Sequence, residues 1–209
     1  MFQTISKESS YELTEKKSKF IANLMYVESR EDAENKIKEY KKKYHDARHN
    51  CSAYRVLEGD TIFEKSSDDG EPSGTAGAPM LNVLQKNNLC NSLVIVTRYF
   101  GGILLGTGGL VRCYTDASLG TVELAEKIVI TKGTEYKVEL DYNYLENFKY
   151  YCKKNNIKII NMEYSERIIC NIEIENEDKI KFLEDIEKRR LNVLNNIKIC
   201  EKYIRKNIT

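Results

Sequence analysis

The chain has 209 residues, 41% of them hydrophobic and 31% charged, with 33 basic and 32 acidic side chains that leave a formal net charge of +1. That size suits one large domain or two small ones, and the charge balance argues against global attraction to nucleic acid or to a membrane. No apolar run is long enough to span a bilayer, and the opening MFQTISKESSYELTEKKSKF lacks the apolar core of a secretory signal, so a cytoplasmic location is expected.

The first predicted element is a strand, SKFIANLMYV (18–27), followed by a helix over 29–46. Ser29 is its expected N-cap, with an acidic residue three positions later. Ala33, Ile37, Tyr40 and Tyr44 recur at helical spacing and should face the core, while Lys36, Lys38, Lys41, Lys42 and Lys43 form a solvated face. CSAYRVL and TIFEKS flank EGD and read as a hairpin. A second helix is expected from about Ala78 to Lys86, carrying Met80, Leu81 and Leu84. In SLVIVTRYF (92–100) four successive apolar residues fit a strand covered on both faces. A glycine loop over 101–109 then feeds a helix from Leu110 to Lys127. This half reads as α+β, with its helices on one side of a sheet.

The last glycine is Gly133 and neither glycine nor proline occurs after it, so VITKGTEY (129–136) reads as a linker turning on that glycine, and domains are expected at 1–130 and 131–209. The second half follows the order β-α-β-β-α-β, the ferredoxin-like arrangement. Its strands are 134–142, IKIINMEYS, RIICNIEIE and 193–204. One helix, 142–156, should bury Leu145, Phe148 and Cys152; the other, 177–189, should bury Ile180, Leu183 and Ile186. Such sandwiches host many functions and name none.

Six cysteines, at 51, 90, 113, 152, 170 and 200, contain no CxxC pair, which excludes a zinc ribbon or thioredoxin-type motif. They are expected to be reduced and buried. Walker-type GxxxxGK[ST], dinucleotide GxGxxG and GxSxG motifs are absent, and no catalytic residue, metal or cofactor is assigned. His45 and His49 stand four apart beside Cys51, a spacing that invites a metal or a Cys–His pair, but no further ligand cluster follows.

The chemistry-bearing stretch is 66–112, which holds eight of the eleven glycines and both prolines. SDDGEPSG packs Asp68, Asp69 and Glu71 into four residues, either as turn and cap residues or as an exposed acidic lip beside amides of Ser73, Gly74 and Thr75. Arg98 and Arg112 are the expected partners of that lip, with Arg48 and Arg55 nearby. RYFGGILLGTGG then sets Arg98, Tyr99 and Phe100 before Gly101, Gly102, Gly106, Gly108 and Gly109. Glycine there permits close backbone approach, and Arg beside aromatics suits base stacking or protein recognition. The whole reads as a binding surface.

SDDGEPSGTAGAPMLNVL, VIVTRYFGGILLGTGGLVRCY and HNCSAYR together closely resemble the signature of the IMPACT family, whose bacterial members are of the YigZ type, over residues 18 to about 127. The resemblance implies an N-terminal fold like the second domain of a small-subunit ribosomal protein, and a ferredoxin-like domain similar to domain V of elongation factor G. It also implies a translation-associated role, with RNA, the ribosome or a translation-associated protein as partner. His49, Asn50, Asp68, Asp69, Glu71, Ser73, Thr75, Arg98, Tyr99, Phe100, the loop glycines and Arg112 stand at signature positions; Pro72, Gly70, Gly74 and Gly77 complete them. Ala78 stands where many members have Lys or Arg, which removes a positive charge from the loop. Three readings stay open: an RNA- or ribosome-binding protein, a kinase-like enzyme with Mg²⁺ on Asp68, Asp69 or Glu71, and a protein-binding module.

Overall fold

The structure, a computed structural model, describes residues 2–207. The chain divides into two compact units, 2–129 and 130–206. Met1, Ile208 and Thr209, the ends of the two expected domains, lie outside the described residues.

The first unit begins with β1 (Phe2–Ile5), β2 (Ser9–Glu15), β3 (Ser18–Tyr26), α1 (Arg30–Lys43), β4 (His49–Glu58) and β5 (Thr61–Ser67). It continues with α2 (Gly77–Lys86), β6 (Ser92–Tyr99) and α3 (Gly106–Leu124). Five of the strands form an antiparallel sheet in the order β2-β3-β6-β4-β5. Its centre is β6, whose apolar run 93–96 leaves no face for water. Val94 and Val96 point to the side where Met80, Leu84, Leu110, Tyr114 and Ala117 of α2 and α3 pack. Leu93 and Ile95 point to the other, against Ala33, Ile37 and Tyr40 of α1.

The helices therefore cover both faces of the sheet, not one side as expected. The physical cause is the uninterrupted apolar stretch of β6, since strand residues alternate faces and both sets need cover. Ser29 caps α1 by accepting from the Asp32 N–H at 3.1 Å, in keeping with its spacing, and Asp32 accepts in turn from the Glu28 N–H at 3.0 Å.

Two helix boundaries differ from the sequence reading. α1 stops at Lys43, so His45 is exposed beyond it and His49 opens β4; the two histidines share no helix face. α3 starts at Gly106, taking in three glycines that were expected to form a loop. Gly106 has φ +72°, which a residue with a Cβ would adopt only with strain, and it sets the chain's entry into the helix.

The second unit is built on β7 (Lys127–Leu140). A 3₁₀ turn (Tyr142–Tyr144), α4 (Leu145–Lys154), β8 (Lys158–Tyr164), β9 (Ile168–Glu175), α5 (Asn176–Glu187) and β10 (Asn195–Asn207) follow. The order β10-β7-β9-β8, with antiparallel β7/β9 and β8/β9 pairs, is the ferredoxin-like topology.

The expected linker around Gly133 is continuous strand. Gly133 pairs with Glu175, and a Cβ there would meet the Ile204 side chain at 2.6 Å and the Ile174 carbonyl at 2.8 Å. This glycine serves close packing, not a turn. On α5 the buried apolar residue is Phe182, with Leu183 and Ile186 packed beside it, while Ile180 is 69% exposed. Of the cysteines, 51, 90, 113, 152 and 170 are buried; Cys200, on β10, is exposed, contrary to expectation. No helix among the described residues is long and apolar enough to cross a membrane.

Candidate functional site

The SDDGEPSG turn leaves β5 and folds back over the starts of β4 and α2. Asp69 and Gly70 take left-handed conformations, φ +45° and +86°, which reverse the chain tightly enough to aim each carboxylate at a different target. The expected exposed acidic lip does not form.

Asp68 accepts hydrogen bonds from the amides of Gly74 at 2.9 Å, Ala76 at 3.0 Å and Gly77 at 2.8 Å. It thus caps α2, whose own N-cap residue, Ala76, has no side-chain acceptor. Partial burial works against the charge, but the three amides outweigh it and hold the Asp68 carboxyl below the usual aspartate range. Of the amides that the sequence offered to an external anion, that of Gly74 is engaged by the protein's own carboxylate and that of Thr75 by the Pro72 carbonyl. Asp69 accepts from the Asn50 N–H at 2.7 Å and pairs with Lys41.

Glu71 is buried. Its Oε1 accepts from Arg98 Nη1 at 2.6 Å and from the Tyr114 hydroxyl at 2.9 Å, and His49 Nε2 lies 3.9 Å away. His49 Nδ1 sits 2.8 Å from the Asp69 carbonyl, which can only accept, so the proton is on Nδ1. Cys51 Sγ is 2.9 Å from the Asp68 carbonyl and 3.3 Å from the Tyr114 hydroxyl, and burial pushes its thiol up to about 12. Burial likewise raises Tyr114 and keeps it neutral. Cys51 and His49 form no nucleophile pair, because each is spent on a backbone carbonyl. With all three carboxylates engaged internally, the Mg²⁺ arrangement loses its ligands. Among the described residues no cluster of three His, Cys, Asp or Glu side chains could hold a metal.

Other candidates scatter. Asn50 bonds to the Tyr44 carbonyl and accepts from Thr97, a purely internal role. Thr75 closes the turn by donating to the Pro72 carbonyl at 2.7 Å, whereas Ser73 is exposed. Arg55 is buried against Glu64 and the Leu89 carbonyl, and so does not join the lip. Arg112 is exposed and pairs with Glu15 at 3.5 Å, also away from it. Tyr99 donates to Asp46 at 3.0 Å. Gly101 lies against the backbone of Lys17 and Ser18 so closely that any Cβ would collide with the Lys17 carbonyl group, while Gly102 has φ +84° and open space around it. Gly108 also faces open space, and Gly109 packs on Leu105.

What the structure does bring together is a cleft of about 510 Å³, within the range of ligand sites. Its walls include Arg48, His49, Glu71, Arg98 and Phe100, with the turn from Leu104 to Thr107 closing it. Two guanidinium groups approach the Phe100 ring, Arg48 at 5.4 Å and Arg98 at 5.6 Å from its centroid. Leu104 is 82% exposed at the rim, with Phe100, Ile103 and Val111 also exposed. Leu104, Leu105, Thr107 and Leu110 were not singled out from the sequence. The signal was present: bulky aliphatic residues inside a glycine run, GGILLGTGG, have no core of their own to enter.

Residues 16–122 match the family model described as the Impact N-terminal domain. Over 187 residues the chain is 37% identical to the IMPACT family member YvyE of Bacillus subtilis, covering 87% of this chain and 83% of that protein. It is 36% identical over 162 residues to the IMPACT family member YigZ of Escherichia coli, covering 75% and 78%. A crystal structure described as that of a hypothetical protein superposes with a TM-score of 0.63 at 29% identity, covering 96% of this chain and 98% of that one.

Proposed function

The chain belongs to the IMPACT family, and from that premise we propose that it is a non-enzymatic, translation-associated regulatory protein that binds RNA or the ribosome through its glycine-rich face. The observation that carries this reading is the cleft beside α3. It presents Arg48 without a carboxylate partner among the described residues, an aromatic ring close to two guanidinium groups, and side-chain-free backbone at Gly70 and Gly106. Such a face suits a phosphate backbone and a stacked base. A catalytic role finds little support: the Cys51 thiol stays protonated and the acidic residues are locked in internal bonds.

One observation favours a second reading, docking of a translation-associated protein. Leu104, Ile103, Phe100 and Val111 expose apolar surface together, and such patches mark protein interfaces more often than RNA interfaces. Cosedimentation of the purified protein with ribosomes, repeated with ribosomal RNA stripped of protein, separates the two. Binding to both favours the RNA reading; binding to intact ribosomes alone favours a protein partner; binding to neither removes the proposal.

A further inference from the structure

The carboxylates of the turn are neutralised within the fold, yet the cleft retains donors that no described residue uses. Arg98 is 5% exposed and lies on the cleft wall; its Nη1 is held by Glu71, but its buried Nε–H has no hydrogen-bond partner among the described residues. A buried donor left unpaired costs stability, so natural folds retain few of them. Arg48, on the same wall, sets its guanidinium over the Phe100 ring and has no ion pair among the described residues. The third set of donors comes from α3, a helix of 19 residues whose first turn, Gly106 and Thr107 included, borders the cleft without a side-chain cap. Its free amides carry the positive end of the helix dipole.

We propose that this cleft is a seat for a phosphomonoester, held by the α3 amides, Arg48 and Arg98, with the attached nucleoside lying against Phe100 and Leu104. The proposal deepens the RNA-binding reading and rests on it for the biological source of the phosphate. Three sets of donors, two guanidinium groups and the α3 amides, suit a tetrahedral group with three free oxygens better than a planar carboxylate with two. An ionised phosphomonoester also carries more charge than an internal phosphodiester, and the local balance of two arginines against one glutamate favours it. Both a free nucleoside monophosphate and the 5′ end of an RNA present this group.

The test uses the full chain with inorganic phosphate, adenosine 5′-monophosphate, adenosine, and one short RNA made with a 5′-phosphate or a 5′-hydroxyl. Phosphate and the monophosphate should bind and adenosine should not, and the phosphorylated RNA should bind at least about tenfold tighter than its hydroxyl twin, the ratio expected for one or two charge-assisted bonds. Arg48→Gln removes an exposed guanidinium without touching the core. Thr107→Asp places a negative charge in the first turn of α3, where it favours the helix but repels a phosphate. Both variants should keep the wild-type melting temperature or exceed it, and both should lose about tenfold or more in phosphate affinity. Equal affinity for the two RNAs, or phosphate binding unchanged in both variants, would overturn the seat. Phosphate binding without any RNA or ribosome association supports the seat, assigns it to a free nucleotide and removes the RNA reading. Ribosome association that persists while no phosphate probe binds does the reverse. Preferential capture of a peptide C-terminal carboxylate over phosphate would also overturn it.

Discussion

Arg98 donates from Nη1 to Oε1 of Glu71 at 2.6 Å, and the two side chains are only 6% and 3% exposed. The Tyr114 hydroxyl donates to the same oxygen. This pair ties the acidic turn to the end of the central strand and to α3, so the motif that reads as a surface lip in the sequence is an internal clasp. Removing one member of a buried pair strands the other charge, at a cost of about 3–5 kcal/mol. Glu71→Met and Arg98→Met should each lower stability by roughly that amount, while the double variant should cost clearly less than the sum, since neither charge is then left alone. Urea denaturation of the four proteins in a double-mutant cycle reads this; additive losses would mean the pair does not act as a unit.

Asp68 caps α2 from eight residues upstream of Ala76, and its depressed carboxyl fixes the sign of a pH effect. Because the folded-state value lies below the unfolded one, its stabilisation is complete above the ordinary aspartate range and is lost as pH falls through the folded value. Asp68→Asn should cost about 1–2 kcal/mol at neutral pH, the scale of a lost helix cap, and the variant's deficit should shrink on acidification below about pH 4. Melting curves at a series of pH values check both parts.

Two adjacent glycines are predicted to differ sharply. Gly101 has the Lys17 carbonyl group where a Cβ would go, whereas Gly102 needs only its positive φ. Gly102→Ala should cost about 1–2 kcal/mol, the strain of a left-handed residue. Gly101→Ala should cost more than that, because β3 and the loop after β6 must move apart. Thermal denaturation of the two variants decides it.

Thiol chemistry should separate the cysteines. Five are buried, and burial raises Cys51, Cys90, Cys113, Cys152 and Cys170 above the ordinary thiol range. Native protein treated with iodoacetamide near neutral pH should be alkylated rapidly at Cys200 and slowly elsewhere, as mass spectrometry of the digest would show. Rapid labelling of Cys51 would mean that the clasp opens in solution.

Elements with an unbroken pattern were legible in the sequence. The Ser29 cap, the EGD hairpin, the 93–96 run and the ferredoxin-like order follow from capping chemistry, turn residues and alternation. Glycine misled in both directions. Gly106, Gly108 and Gly109 are poor helix formers yet open α3, because packing of Leu110, Tyr114 and Ala117 outweighs local propensity. Gly133 reads as a turn but sits in a strand, because the clash it avoids comes from Ile204, far along the chain.

The site was half legible. The sequence marked 66–112, but it offered cap residues and an exposed lip as equal alternatives for the carboxylates. Choosing between them needed the positions of the Gly74, Ala76 and Gly77 amides and of Arg98, which sequence spacing does not supply. Tyr114 was invisible as a partner of Glu71, since 43 residues separate them. Ile180 and Phe182 show the same limit on a smaller scale: both fit an apolar stripe, and the sheet decides which one it buries.

The central claim, that the glycine-rich face binds RNA or the ribosome, is tested most directly by cosedimentation with ribosomes across a salt series. Arg98 is unsuitable as the probe because its loss would disturb the fold, so the variant to run beside the wild type is Arg48→Gln with Arg112→Gln, both exposed guanidinium groups. The predicted result is binding that weakens with salt, with the variant's log–log slope shallower by roughly 0.7–0.9 for each phosphate that its missing guanidinium groups no longer neutralise. Binding indifferent to salt, or identical in the two proteins, would contradict it.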